Sequence, residues 1–201
     1  MDLISNDWEQ LYQKDETPWD KGAPAPVLEF LAGQNSEWFR GRVLVPGCGT
    51  GSDALFLAGQ GAQVVAIDLA PTALERARAK DTERQVTWRQ EDVFALSPDL
   101  VGAFDAVWEH TCLCALDVEL RARYVQALRS TLKPGGSVYG VFFINPDMEP
   151  GETGPPFGIA LEELVALWEG VGLTVREHWV PSAAYPGREG RELYLWASDG
   201  K

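Results

Sequence analysis

Arg42-Val43-Leu44-Val45-Pro46-Gly47-Cys48-Gly49-Thr50-Gly51 decides the fold. An apolar, largely β-branched run of the kind found in buried parallel strands empties into three alternate glycines and then into a helix-like segment, Ser52 to Ala58. The glycines allow a sharp turn with positive φ and leave no Cβ between the loop and whatever lies across it. Gln63 to Asp68 follows as a second strand ending in a carboxylate, where a Rossmann-like unit presents an acid to a ribose. The pair indicates a nucleotide ligand, either a dinucleotide or an adenosine with a shorter tail.

Outward from there, strands and helices alternate as in parallel βαβ units. Helix Pro71 to Lys80 precedes strand Val86 to Gln90, and Phe104 to Glu109 forms a fourth strand. A helix is expected from an Asp117 N-cap to Leu132, stopped by the turn Lys133-Pro134-Gly135-Gly136, with a fifth strand from Ser137 to Ile144. Asn145 to Gly158, with four prolines and three glycines, reads as a substrate loop beyond the carboxyl end of that strand. Helix Leu161 to Glu169 leads to two strands, Leu173 to Val180 and Glu192 to Ala197, joined by a connection too short for a crossover helix and therefore antiparallel. The fold class is α/β, a Rossmann-like, mostly parallel seven-stranded sheet with helices on both faces and the last strand antiparallel.

Residues 1–40 form an expected helical lid on a core of 41–201, the whole a single domain. Trp8, Leu11 and Tyr12 share one helical face, Thr17 to Gly22 is a loop, and a short helix runs from Pro26 to Leu31. Trp8, Tyr12, Trp19, Phe30, Trp38 and Phe39 together look like a cover over a pocket.

The chain has 201 residues and a net charge of -13, with Lys plus Arg 17 against 30 acids, which argues against nucleic-acid binding and for a small-molecule ligand. No basic leader or transmembrane stretch is visible, so a cytoplasmic protein is expected, a monomer with neither membrane nor nucleic acid as partner. Cys48, Cys112 and Cys114 have neither disulfide nor zinc spacing and read as small buried hydrophobes, with no metal expected.

The glycine spacing departs from the G-x-G-x-x-G of a nicotinamide site, since Ser52 stands where the last glycine belongs. After the third strand, Glu91-Asp92-Val93-Phe94 offers a carboxylate and a backbone N–H to an adenine through Asp92 and Val93, with Asp68 at the ribose. These describe adenosine held without need of a pyrophosphate.

The order V-P-G-C-G-T-G, an acid closing the second strand, E-D-V-F and L-K-P-G-G resembles class I S-adenosylmethionine-dependent methyltransferases. Thr17-Pro18-Trp19-Asp20-Lys21-Gly22, Cys112 to Leu116 with the following acids and Arg121, and Gly154-Pro155-Pro156-Phe157 resemble more narrowly the thiopurine and thiol/halide methyltransferase family. The resemblance implies S-adenosyl-L-methionine as cofactor and S-adenosyl-L-homocysteine as product. It places Trp8, Trp19, Gly47, Cys48, Gly49, Asp68, Leu69, Asp92, Val93, Glu109 and His110 around the cofactor, with Thr111 beside them. Tyr12, Trp19, Pro156, Phe157 and Tyr185 fall near a small-molecule acceptor, a thiol or halide.

The reaction implied is in-line displacement by a soft nucleophile, for which alignment and water exclusion suffice. Should a base act, His110 or Tyr185 is the candidate, and Arg121, Arg188 and Arg191 could favour a thiolate. A methyltransferase for another small oxygen, nitrogen or metalloid acceptor, an NAD-dependent oxidoreductase and a silent adenosine-binding module are the competing readings.

Overall fold

The computed structural model describes residues 7–34, 40–146 and 154–199. Trp38 and Phe39 of the expected cover, and 147–153 of the proline-rich loop, lie outside the described residues.

The chain opens with helix α1 (Trp8–Gln13), whose N-terminus is capped by the Asp7 carboxylate, and α2 (Pro26–Gly33), with proline in its first turn. Strand β1 (Arg42–Pro46) and helix α3 (Ser52–Gly59) flank the glycine loop. There follow β2 (Gln63–Asp68), α4 (Pro71–Lys80), β3 (Val86–Gln90) and β4 (Phe104–His110). The second half holds α5 (Arg121–Thr131), β5 (Leu132–Phe143), α6 (Leu161–Gly170), β6 (Leu173–Trp179) and β7 (Glu192–Asp199). The seven strands lie in the order β3-β2-β1-β4-β5-β7-β6. Pairings among β1 to β5 are parallel, while β7 runs antiparallel to both β5 and β6.

Both faces of the sheet are covered, which is why its central strands are apolar without interruption. Leu44 of β1 packs with Tyr124, Val125 and Leu128 of α5 and with Leu164 and Trp168 of α6. Its neighbours Val43 and Val45 point the other way, to Leu28 and Leu31 of α2 and Ala54 and Leu57 of α3.

Two expectations are corrected. Val118–Leu120 forms a 3-10 turn, and the α-helix begins only at Arg121 and ends at Thr131. Lys133-Pro134-Gly135-Gly136 falls inside β5: Phe104 faces Leu132 but Ala106 faces Ser137, so the four residues bulge out of register. Gly135, at φ 81°, permits that bulge, and the turn residues bend a strand instead of preceding one.

Candidate functional site

A cavity of about 510 Å³ opens above the carboxyl ends of β1, β2 and β4, with β1 between the other two. The chain leaves β1 toward β2 on one side and reaches β4 on the other, so the cavity lies at the switch point where open α/β sheets bind ligands. Its size is that of a small-molecule site.

The floor is the glycine loop. Gly47, Gly49 and Gly51 have φ of 55°, 53° and 84°. A Cβ on Gly47 would stand 2.6 Å from Cys112 Sγ, and one on Gly51 would collide with the Trp88 indole. The glycines therefore let the protein's own side chains close behind the loop. Asp68 fixes the loop from the end of β2: Oδ2 accepts from Gly49 N at 2.8 Å and Oδ1 from Ala70 N at 2.9 Å. Burial raises the Asp68 pKa against these hydrogen bonds. Asp68 and Leu69 line the cavity, as do Cys48 and Gly49.

At the end of β3 the wall is made by Glu91, Val93 and Phe94. Asp92 stands outside it, its Oδ1 accepting from Phe94 N at 2.8 Å and shaping the turn.

The roof comes from the N-terminal segment. Trp8 and Trp19 meet edge to face at 5.3 Å, Tyr12 and Trp19 at 5.9 Å, and Trp19 Nε1 donates to Tyr12 Oη at 3.1 Å. Polar latches hold this cover down. Thr50 Oγ1 donates to Asp20 Oδ2 at 2.7 Å and accepts from Lys80 Nζ at 2.7 Å. Glu9 accepts from Thr72 N at 3.0 Å, and Arg76 pairs with Asp15 at 2.7 Å.

Beyond β4, His110, Thr111, Cys112 and Cys114 face the cavity, and Thr111 takes a φ of 59°. Glu109 does not face it. Strand alternation turns its side chain to the α5 side, where Oε1 accepts from Cys112 N at 2.9 Å, Leu113 N at 2.7 Å and Tyr124 Oη at 3.3 Å. It is fully buried, Oε2 has no partner, and burial pushes its pKa up to about 7. Glu109 therefore holds the loop after β4 in place; it forms no wall beneath a cofactor.

Pro155 and Pro156 join the wall, while Phe157 lies outside it, its N–H donating to Cys114 O at 2.7 Å. Tyr185 lines the cavity and stacks on His110 at 6.0 Å. Its phenol donates to Ala23 O at 2.7 Å, and burial pushes its pKa up, so it is a clamp between the two ends of the chain and a poor base. Arg188 and Arg191 also reach the cavity. Arg188 pairs with Glu192 at 3.0 Å and lies over the Tyr185 and Phe143 rings, whereas Arg121 is spent on Glu163 and Gly158 O, away from the site.

One residue escaped the sequence reading. Asp53, in the first turn of α3, lines the cavity and accepts from Ala25 N at 2.7 Å and Trp108 Nε1 at 2.8 Å, with His110 Nδ1 2.8 Å from its Oδ2. An acid in the first helical turn is ordinary in sequence because the helix dipole favours it there. Its partners lie 28 to 57 positions away, and no spacing rule connects them.

An aromatic-roofed cavity at the switch point, floored by a glycine loop and bearing acids at the ends of β2 and β3, suits adenosine attached to a cationic sulfonium, since aromatic faces and carboxylates both attract a cation. These features define a methyltransferase using S-adenosylmethionine. Comparison with known proteins carries this further. The profile of the family described as thiopurine S-methyltransferase matches residues 3–184, and the chain belongs to that family. It is 32% identical over 163 residues to a probable thiol methyltransferase 2 of Arabidopsis thaliana, covering 79% of this chain and 70% of the relative. Identity is 29% over 189 residues to thiocyanate methyltransferase 1 of Brassica oleracea, over 90% and 81% of the two chains. The fold matches the Burkholderia thailandensis 1,6-didemethyltoxoflavin-N1-methyltransferase, solved with its substrate and S-adenosylhomocysteine, with a TM-score of 0.74 and 21% identity over 97% of this chain and 86% of that one.

Among the described residues, no helix is long and apolar enough to cross a membrane.

Proposed function

We propose that this chain transfers a methyl group to a small soft nucleophile, a thiol first and a halide second, inside the cavity beneath the Trp8–Trp19 roof. The observation that carries the reading is the joining of that roof to the glycine loop through Asp20 and Thr50, because it sets roof and floor around one space large enough for donor and acceptor together. Bound there, S-adenosylmethionine supplies an electrophilic methyl on a sulfonium and leaves as S-adenosylhomocysteine. Gly47, Cys48 and Gly49 would border it, Asp68 and Leu69 would lie at the ribose, and Val93 with Glu91 would lie at the adenine. Trp8 and Trp19 would face the sulfonium, and Tyr12, Trp19, Pro156 and Tyr185 would border the acceptor. The protein's part is to align, to exclude water and to dispose of an acceptor proton.

An activated sulfonium needs no metal. Free cysteines at 48, 112 and 114 suit a reducing compartment, and we place the protein in the cytoplasm as a single-domain monomer.

Calorimetry with S-adenosylmethionine, S-adenosylhomocysteine and NAD, followed by a methylation screen over alkyl thiols, iodide, thiocyanate and catechol, tests the reading. Binding of the first two ligands and turnover with thiols is expected. NAD binding alone, or turnover with catechol alone, overturns it.

A further inference from the structure

At the end of β4, the cavity meets a hydrogen-bonded pair of buried groups. The Asp53 carboxylate accepts three hydrogen bonds, from the Ala25 N–H, the Trp108 indole and His110. Burial would raise its pKa, but His110, Trp108 and Ala25 together bring it below the ordinary carboxylate value, so it is ionised near neutral pH and can only accept. The proton between Asp53 and His110 is therefore on His110 Nδ1. When the ring is neutral its lone pair is on Nε2, which is enclosed and has no hydrogen-bond partner among the described residues. Every other polar atom of the Asp53–His110–Trp108 cluster named above is paired. His110 lines the cavity, but Nε2 itself is closed off in this structure, so a donor reaches it only when the ring or the Tyr185 stacked on it shifts as a ligand enters.

We propose that Asp53 and His110 form a proton-accepting pair for the acceptor, with His110 Nε2 taking the proton of a thiol, so that the chain is equipped for acceptors that arrive as S–H and not only for preformed anions. This rests on the reading above that the acceptor is a small thiol. In the step, the S–H bond breaks, its proton forms an N–H bond at Nε2, and the electron pair stays on sulfur as the nucleophile. The imidazolium so formed lies against the Asp53 carboxylate, and its proton passes to solvent when the cavity opens. Asp53 is the positioning residue: it fixes the tautomer and the charge.

The groups around the ring set its titration. Burial pulls the His110 pKa down, but Asp53, by charge and hydrogen bond, and Glu192 of β7 outweigh it, while Arg188 opposes them; the outcome is a pKa above the ordinary value. Tyr185, stacked on the ring, stays a neutral phenol. Below the raised pKa Nε2 already holds a proton, so thiol turnover falls as pH drops through it.

The magnitude follows from the acceptor. An alkyl thiol with a pKa of about 8.5 is only ~3% thiolate at pH 7, so an enzyme deprived of the base and dependent on free thiolate loses about 30-fold in kcat/KM. With cysteine as the acceptor, whose thiol has a pKa of about 8.5, His110→Gln is expected to lose about that factor at pH 7 and to regain most of it by about pH 9, where most of the thiolate is preformed. With thiocyanate, which carries no proton, the loss at pH 7 is expected to be at least about tenfold smaller.

Imidazole NMR supplies a readout free of turnover, since the chain has only two histidines, His110 and His178. The unmodified protein should show the Nδ1–H tautomer for His110, with a pKa above about 6.5 that falls in Asp53→Asn. This measurement stands even if His110→Gln folds poorly. Equal losses with both acceptors at every pH, no loss with the thiol, or a proton resident on Nε2 alone would overturn the proposal. Failure of the unmodified protein to methylate any thiol would overturn the acceptor reading along with it, and the kinetics of the unmodified protein alone tell the two apart.

Discussion

Replacing Glu109 by Gln removes a buried acid whose ionisation the fold resists. Glu109 is fully buried, and burial pushes its pKa up to about 7 from the 4.5 of an unperturbed glutamate. Because the folded-state value is the higher one, the stability tied to this group is complete below about pH 4.5 and is lost as pH rises through 7. At about 1.4 kcal/mol per pH unit, the gap corresponds to about 3 kcal/mol lost between pH 4.5 and pH 8. Gln keeps an acceptor for Cys112 N and Leu113 N and cannot ionise, so the variant is free of that loss. For a chain of this size about 3 kcal/mol is roughly 6–12 °C in Tm. Thermal unfolding of both proteins from pH 4.5 to pH 8 measures it. The Tm of the variant should gain about 6–12 °C on that of the parent over this range, with every other carboxylate cancelling in the difference. Parallel pH profiles would refute the assignment of the raised pKa to Glu109.

Asp68→Ala strips the acceptors from Gly49 N and Ala70 N and should weaken S-adenosylmethionine binding by about 1–3 kcal/mol in calorimetry; an unchanged Kd means the loop is held by other contacts. Trp19→Ala removes two edge-to-face partners from the roof, worth about 1–3 kcal/mol together, and should raise acceptor KM or cofactor Kd by about tenfold while the far-ultraviolet circular dichroism spectrum is kept. A lower Tm with normal kinetics would make Trp19 merely a packing residue. Gly51→Ala forces a methyl onto the Trp88 ring at a φ of 84° and should cost about 2–4 kcal/mol by urea unfolding, and a loss under about 1 kcal/mol would show that Trp88 moves aside freely.

The sheet was legible because its strands declare themselves twice, by apolar runs and by the punctuation between them. The glycine loop and the antiparallel β6–β7 pair were equally open, the latter from the shortness of one connection. Side-chain direction was harder. Glu109 adjoins His110 in sequence and was placed with it, yet neighbours on a strand point to opposite faces; the alternation already visible at Val43, Leu44 and Val45 was the signal that could have separated them. The motifs place Asp92 and Phe157 in the site, yet Asp92 is committed to the turn after β3 and the Phe157 N–H to Cys114 O, both outside the cavity wall. Asp53 was hidden for a different reason: its role exists only once α3, β4 and the segment before α2 have met.

The hydrogen bond from Tyr185 Oη to Ala23 O joins residues 162 positions apart, and β7 is inserted between β5 and β6, so β6 has no strand neighbour until β7 has followed it. Contacts that close such long loops form late, because the chain entropy they cost must be met before they are rewarded. A nascent chain emerging from the ribosome can thus assemble β1 to β5 while still lacking the clamp that seals the cavity. The clamp across the cavity therefore joins only after β1 to β5 are in place, and a chain truncated before Tyr185 is expected to lose it.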